Sequence, residues 1–132
     1  MKGSTMKTGI LSFFAVLVIT TFAYAELPSA KEATVKQALS SGKPTVIDLG
    51  ARTCIPCKKM APILEALAGE YRSKATVLFI DVHEDQAAAQ KFGVQMIPTQ
   101  IFFDAKGKEV TRHMGFMEKT DILKSLKKAG MQ

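Results

Sequence analysis

The stretch Gly50–Pro62, "GARTCIPCKKMAP", holds both cysteines of the chain, Cys54 and Cys57. Two residues separate them. Three chemistries fit a pair at this spacing: half of a metal site, a structural staple, or a redox couple. The residues on either side bear on the choice.

Upstream lies "TVIDL", Thr45–Leu49. It is nearly all apolar, as a strand buried on both faces should be, and Asp48 is the exception. Asp48 is expected to be buried, with a solvent-facing position at the strand end as the alternative. Downstream, Pro56 suits a first helical turn, where its missing N–H costs nothing. Met60, Ile63, Leu64, Leu67 and Tyr71 then recur on one face of a helix running to about Tyr71. Pro62 lies inside that helix and should kink it, because it cannot bond back to the Lys58 carbonyl.

The cysteines therefore stand where a strand hands over to a helix. Cys54 falls at or just before the first turn, where backbone N–H groups lack intrahelical partners. Those groups and the helix dipole favour negative charge, hence the thiolate, which is the nucleophilic form. Arg52, Lys58 and Lys59 are expected to add positive charge nearby. Cys57, a turn into the helix, should be more shielded. This arrangement suits two-step exchange, with Cys54 attacking a disulfide and Cys57 resolving the mixed disulfide. Asp48, directly or through water, is the candidate acceptor for the Cys57 proton, because burial would raise its pKa.

The other readings are weaker. A bridge between residues three apart closes a very small loop and removes little unfolded-state entropy. A closed zinc site needs four ligands, and beyond the cysteines only His83 and His113 could serve. They lie in no finger-like spacing and are expected at element ends on the surface. Heme attachment wants a histidine straight after the second cysteine, where this chain has Lys58. No metal is expected, and no cofactor beyond the Cys54–Cys57 disulfide. The seven methionines read as core filler and surface.

Residues 1–25 do not look like part of the fold. Lys2 and Lys7 give a positive start, Ile10–Phe22 is almost wholly apolar, and Ala23-Tyr24-Ala25 is small-x-small. That is the order of a secretory signal with its cleavage site, and the run is short for a spanning helix. Cleavage near Ala25 is expected, with an uncleaved membrane anchor as the alternative. It leaves residues 26–132 as one domain, and the net charge falls from +6 to +4 because two lysines and no acidic residue are lost. No basic stripe with interleaved aromatics speaks for nucleic acid. Export also places the cysteines where disulfides persist.

In the rest of the chain, Ser29 and Glu32 fit a capping box before a helix bearing Val35, Ala38 and Leu39, stopped by Gly42 and Pro44. "TVLFIDV", Thr76–Val82, reads as a second buried strand, and Glu84–Phe92 as a short helix ended by Gly93. Gln100–Phe103 and Glu109–His113 read as a hairpin about a turn at Asp104–Gly107. A last amphipathic helix, about Glu118–Ala129, carries Ile122, Leu123 and Leu126. The order α-β-α-β-α-β-β-α implies an α/β fold, with a central mixed sheet, helices on both faces, and a C-terminal hairpin and helix.

These residues resemble the thioredoxin family across nearly the whole of 26–132. The resemblance rests on "VIDLGA", "CIPCKKMAP", "KFGVQMIPT" and the hairpin with its final helix. It implies the thioredoxin fold, a cis peptide at Ile97-Pro98 beside the cysteines, and a backbone offered to the partner by Ile97. Asp48 falls on the family's buried acid. Substrate contact is expected from Ile55, Pro56, Ile97 and Pro98, which read as an exposed apolar surface.

This chain also departs from the family. Thr53 stands where the family has tryptophan, Ile55 where it usually has glycine, and Phe79 where a lysine often neighbours the buried acid. The last change should raise the pKa of Asp48 further. The family's usual first strand also has no counterpart in this reading, because only a few residues of 26–132 precede the first helix. These departures argue against an ordinary cytosolic member and, with the signal pattern, suit a periplasmic thiol–disulfide oxidoreductase acting on disulfide-containing exported proteins; a monomer is expected, and exported reductants of the family usually take electrons from a membrane protein. Pro56 before Cys57, in place of the histidine common in oxidants, suggests a reductant. A dithiol oxidase is the converse reading, and a client-binding module or chaperone with an incidental disulfide is the alternative from another class.

Overall fold

In a computed structural model, Gly3 and residues 25–132 are described. The expected leader, residues 1–25, therefore lies almost wholly outside the described residues. Among them, no helix is long and apolar enough to cross a membrane. The elements follow the expected order: α1 (Glu32–Leu39), β1 (Thr45–Gly50), α2 (Ile55–Glu70), β2 (Thr76–Asp81), α3 (Gln86–Lys91), β3 (Thr99–Phe103), β4 (Glu109–Met114) and α4 (Lys119–Lys128).

The sheet has the strand order β2-β1-β3-β4. β1 pairs parallel with β2 and antiparallel with β3, and β3 pairs antiparallel with β4. β1 is thus central, and all six of its residues are buried, which explains its apolar run. Its side chains alternate between two cores. Val46, with Val77 and Phe102 on the neighbouring strands, packs against Met60, Leu64 and Leu67 of α2 and Ile122 and Leu126 of α4. Ile47 and Leu49, with Ile80, Ile101 and Phe103, face Val35 of α1 and partly buried Ala88 of α3. Burying each such aliphatic side chain contributes roughly 1.5–3 kcal/mol, so the two cores fix which face β1 turns to α2. Asp48 lies on the Val46 face.

The start of the fold differs from its reading as a capping box. Ser29 does not cap α1: the N-cap is Lys31, and no side chain bonds there. Instead Ser29 forms an isolated parallel bridge with Phe79, and its Oγ accepts from the Asp81 N–H at 2.9 Å. Ala30 N–H donates to the Phe79 carbonyl at 2.7 Å. The open edge of β2 outweighs the cap, because its backbone groups need partners. Among the described residues, one bridge stands in place of a first strand.

The third helix is also shorter than its pattern. Glu84 and Asp85 turn back to the Asp81 carbonyl, at 3.1 and 2.9 Å. Asp85 then caps α3, its Oδ1 accepting from Ala88 N–H at 2.9 Å. α2, by contrast, runs unbroken through Pro62, which is solvent-exposed.

Candidate active site

The β1–α2 junction carries the cysteines. Cys54 is the N-cap of α2, with an extended backbone (φ −85°, ψ 125°), and Pro56 lies in the first turn. An N-cap side chain commonly accepts from the orphan N–H groups of the first turn. Here Cys54 Sγ accepts from Cys57 N–H at 3.4 Å. Cys54 and Cys57 form a disulfide with their Cα atoms 5.2 Å apart. Cys54 is half-buried and Cys57 buried, so the asymmetry expected between them is present.

Gly50 lets α2 approach the sheet. A Cβ on Gly50 would meet Cys57 Sγ at 3.2 Å and the Phe79 ring at 3.3 Å. Asp48 stands two residues earlier on the same face, about 7 Å along the strand. It is fully buried, and the solvent-facing alternative is excluded. Burial pushes its carboxyl up to about 6, against the pull of a hydrogen bond from Gln100. Phe79 is its direct neighbour on β2 and brings an aromatic ring rather than a cation.

Sequence reading missed Gln100. It is fully buried, stands opposite Asp48 in the β1–β3 register, and donates from Nε2 to Asp48 Oδ1 at 2.7 Å. The available signal was a lone amide in the apolar strand "TQIFF". Asp81 was missed as well. It is buried beside Gly50 in the register, and its carboxylate accepts from Arg52 N–H at 3.1 Å and His83 N–H at 2.9 Å. It thereby pins the loop that leads into Cys54.

Arg52 and Lys58 line a small cavity with Cys57, and the charge of Arg52 is also engaged by other groups. Its guanidinium pairs with Glu26 at 2.6 Å, donates to the Leu27 carbonyl at 2.8 Å, and lies over the Phe79 ring. Lys58 and Lys59 are exposed on α2. Pro98 is buried rather than part of an exposed surface, because the β3–β4 pairing brings Gly115 N–H onto its carbonyl at 2.8 Å. Ile97 is half-buried in front of it, and Ile97-Pro98 is cis, as the resemblance implied. Ile55 and Pro56 are exposed. Met96, Met114 and Phe116 are exposed at the neighbouring strand ends, and nothing in their spacing singled them out. His83 and His113 are exposed and far apart in the sheet, and among the described residues no cluster could hold a metal ion.

A cysteine pair that caps a helix, with one cysteine half-buried and the other buried, fits a protein of dithiol–disulfide exchange. The thioredoxin family model matches residues 26–128. The chain is 42% identical over 83 residues to thioredoxin from Staphylococcus saprophyticus, covering 63% of this chain and 79% of that one. It is 42% identical over 88 residues to the bifunctional thioredoxin reductase/thioredoxin of Mycobacterium leprae, covering 67% of this chain and 19% of that protein. A solved mutant thioredoxin from Halobacterium salinarum superposes with a TM-score of 0.68 at 31% identity, over 80% of this chain and 90% of that one. The chain belongs to the thioredoxin family, and it is a thiol–disulfide oxidoreductase with a Cys54–Cys57 disulfide.

Proposed function

We propose that this protein is an exported reductant of disulfide-containing proteins. The observation that carries the reading is the pair itself, with Cys54 at the helix cap and Cys57 buried against Gly50 on the face that bears Asp48. In the reduced protein, the cap N–H and the helix dipole favour the Cys54 thiolate. That thiolate attacks a client disulfide and expels one client thiolate. Cys57 then gives its proton to Asp48, directly or through water. The Cys57 thiolate attacks Cys54 Sγ, forms the Cys54–Cys57 disulfide, and releases the second client sulfur as thiolate. Two electrons pass to the client, and a dithiol donor must restore them.

Asp48 suits the acceptor role because its carboxyl titrates at about 6. It is ionised at neutral pH, yet binds a proton far better than an exposed aspartate. Ile55 and Pro56 offer the client an apolar seat and Ile97 offers its backbone to an extended client segment, with Pro98 buried behind it. Pro56 in place of a histidine leaves Cys54 a milder thiolate, which supports the reducing direction. A relative whose printed name joins reductase and thioredoxin points the same way. The signal pattern of residues 1–25 supports export to the periplasm, and a donor within the membrane would then supply the electrons.

Insulin disulfide reduction with dithiothreitol tests the activity: turnover is expected at micromolar protein, and its absence sinks the reading. Cys57→Ser should trap clients covalently on Cys54, whereas equal trapping by Cys54→Ser would reverse the assignment. A redox potential near about −270 mV is expected, and one near about −120 mV would make the protein an oxidant. A protein recovered from the periplasm should begin at Glu26.

A further inference from the structure

Asp48 and Gln100 form an incomplete pair. They face each other across β1 and β3 on the α2 side of the sheet, and both are fully buried. One hydrogen bond joins them, from Gln100 Nε2 to Asp48 Oδ1. That leaves Asp48 Oδ2 and Gln100 Oε1, both buried and both without a partner among the described residues. With Asp48 ionised, both atoms are acceptors only, so neither can satisfy the other. A single proton on Oδ2 changes this. It turns the acid into a donor, and the amide already carries the matching acceptor. Buried polar atoms are costly to leave unpaired, so both protonation states lean on the same amide.

No charged side chain reaches this pair among the described residues. On β2, Phe79 flanks Asp48. Asp81, further along β2, is engaged by backbone N–H groups, and Arg52 by Glu26. On β4, His113 stands opposite Gln100 but is exposed, with its Nε2 at 3.1 Å from the Phe116 carbonyl. α2 contributes Cys57 beside Gly50, and Lys58, exposed on that helix, lines a small cavity with Cys57, Phe79, Arg52 and Glu26.

We propose that Gln100 is a positioning residue for the proton of the exchange reaction: its N–H holds the ionised carboxylate of Asp48, and its C=O receives the O–H of the acid. The proposal rests on Asp48 as acceptor of the Cys57 proton. In that step the Cys57 S–H bond breaks and an O–H bond forms at Asp48 Oδ2, with no change of oxidation state. An amide serves both states because it presents a donor and an acceptor together. Leucine presents neither.

The test is a titration of the Asp48 carboxyl by carbon NMR in the oxidised full-length protein, paired with the pH profile of mixed-disulfide resolution. In Gln100→Leu the ionised form loses a bond to a charged acceptor and the acid form a weaker neutral one, so the Asp48 midpoint should rise by the difference, about one unit. The acidic limb of the resolution profile should move with it. Gln100→Met, also without amide groups but unbranched, repeats the measurement if the leucine variant does not fold. In the unsubstituted protein, the Gln100 side-chain carbonyl band in the infrared should shift through the same midpoint. Folded variants with an unmoved midpoint and limb, whatever their change in melting temperature, overturn the proposal, as does a Gln100 band that ignores Asp48. Failure of the acceptor reading looks different: Asp48→Asn would then resolve mixed disulfides at the normal rate. That result removes Gln100 from the reaction even if the carboxyl titration moves as expected.

Discussion

Asp48 and Asp81 are the same residue on neighbouring strands of one sheet, both buried and both on the face that meets α2. Their proton affinities move in opposite directions. For Asp48, burial dominates and raises the carboxyl to about 6, because among the described residues one amide N–H is its only side-chain partner. For Asp81, burial also pushes upward, but backbone N–H groups of Arg52, His83 and Glu84 outweigh it and hold the carboxyl below its ordinary value. Residue type and sheet face are shared, so the difference lies in donors. Mid-strand, the backbone N–H groups are committed to the ladder. At the strand end, where β2 breaks into a turn, several are released and converge on one carboxylate. One aspartate is thereby left able to take a proton, and the other becomes a fixed anion that ties down the Cys54 loop.

The largest expected effect separates the two by chemistry. Asp48→Asn keeps the shape and removes the acceptor. Resolution of mixed disulfides should slow by on the order of 100-fold or more, the usual scale for a positioned general base. Rapid-quench trapping of the Cys54 adduct measures it. Initial attack by Cys54 should change far less. A normal resolution rate would make Asp48 as structural as Asp81.

The same substitution should stabilise the fold, with a defined pH dependence. A carboxyl whose folded pKa is about 6 against an ordinary 3.8 binds its proton more tightly when folded. Its contribution is therefore fully present below about pH 4 and lost as pH rises through about 6. Ionisation at pH 8 costs the native state about 3 kcal/mol on that shift. Asp48→Asn should thus match the parent near pH 4 and exceed it by up to that amount at pH 8 in urea unfolding. A constant difference across pH would show that packing, not ionisation, separates them.

How far the sequence revealed this contrast depends on the range of each signal. The strand "TVIDL", the helix periodicity after Pro56 and the cysteine spacing are local patterns, and each lies where the structure has it. Asp48 stood out because charge in an apolar strand is costly wherever the strand goes. Gln100 is 52 residues away from Asp48, and only the β1–β3 register brings them together. Asp81 closes "TVLFID" as a plain strand end, and its role depends on the Arg52 N–H 29 residues upstream. Ser29 misled for the same reason, since a local capping pattern lost to the distant edge of β2. Arg52 lines a cavity with Cys57 as its place in the chain implies, but that Glu26 and the Phe79 ring share its charge is set by the fold.

The smallest effect tests Asp81 as an anchor. Asp81→Asn keeps one acceptor oxygen but turns the other into a donor, so either Arg52 N–H or His83 N–H loses its partner. The cost should be about 1–3 kcal/mol at pH 7, the range for an orphaned buried donor or a lost bond to a charged acceptor. The sign with pH is opposite to that of Asp48. The Asp81 carboxyl lies below its ordinary 3.8 when folded, so its stabilisation is present above that value and fades as pH falls through the lower folded one. The gap between parent and variant should therefore close on acidification, in the range where the Asp48 gap is already closed. Hydrogen exchange at the Arg52 and His83 amides should speed up in the variant, because the loop into Cys54 opens more readily without the full carboxylate. Unchanged exchange at both amides would mean that the disulfide and the α2 cap hold Cys54 in place without Asp81, and the contrast between the two aspartates would then be one of proton affinity alone.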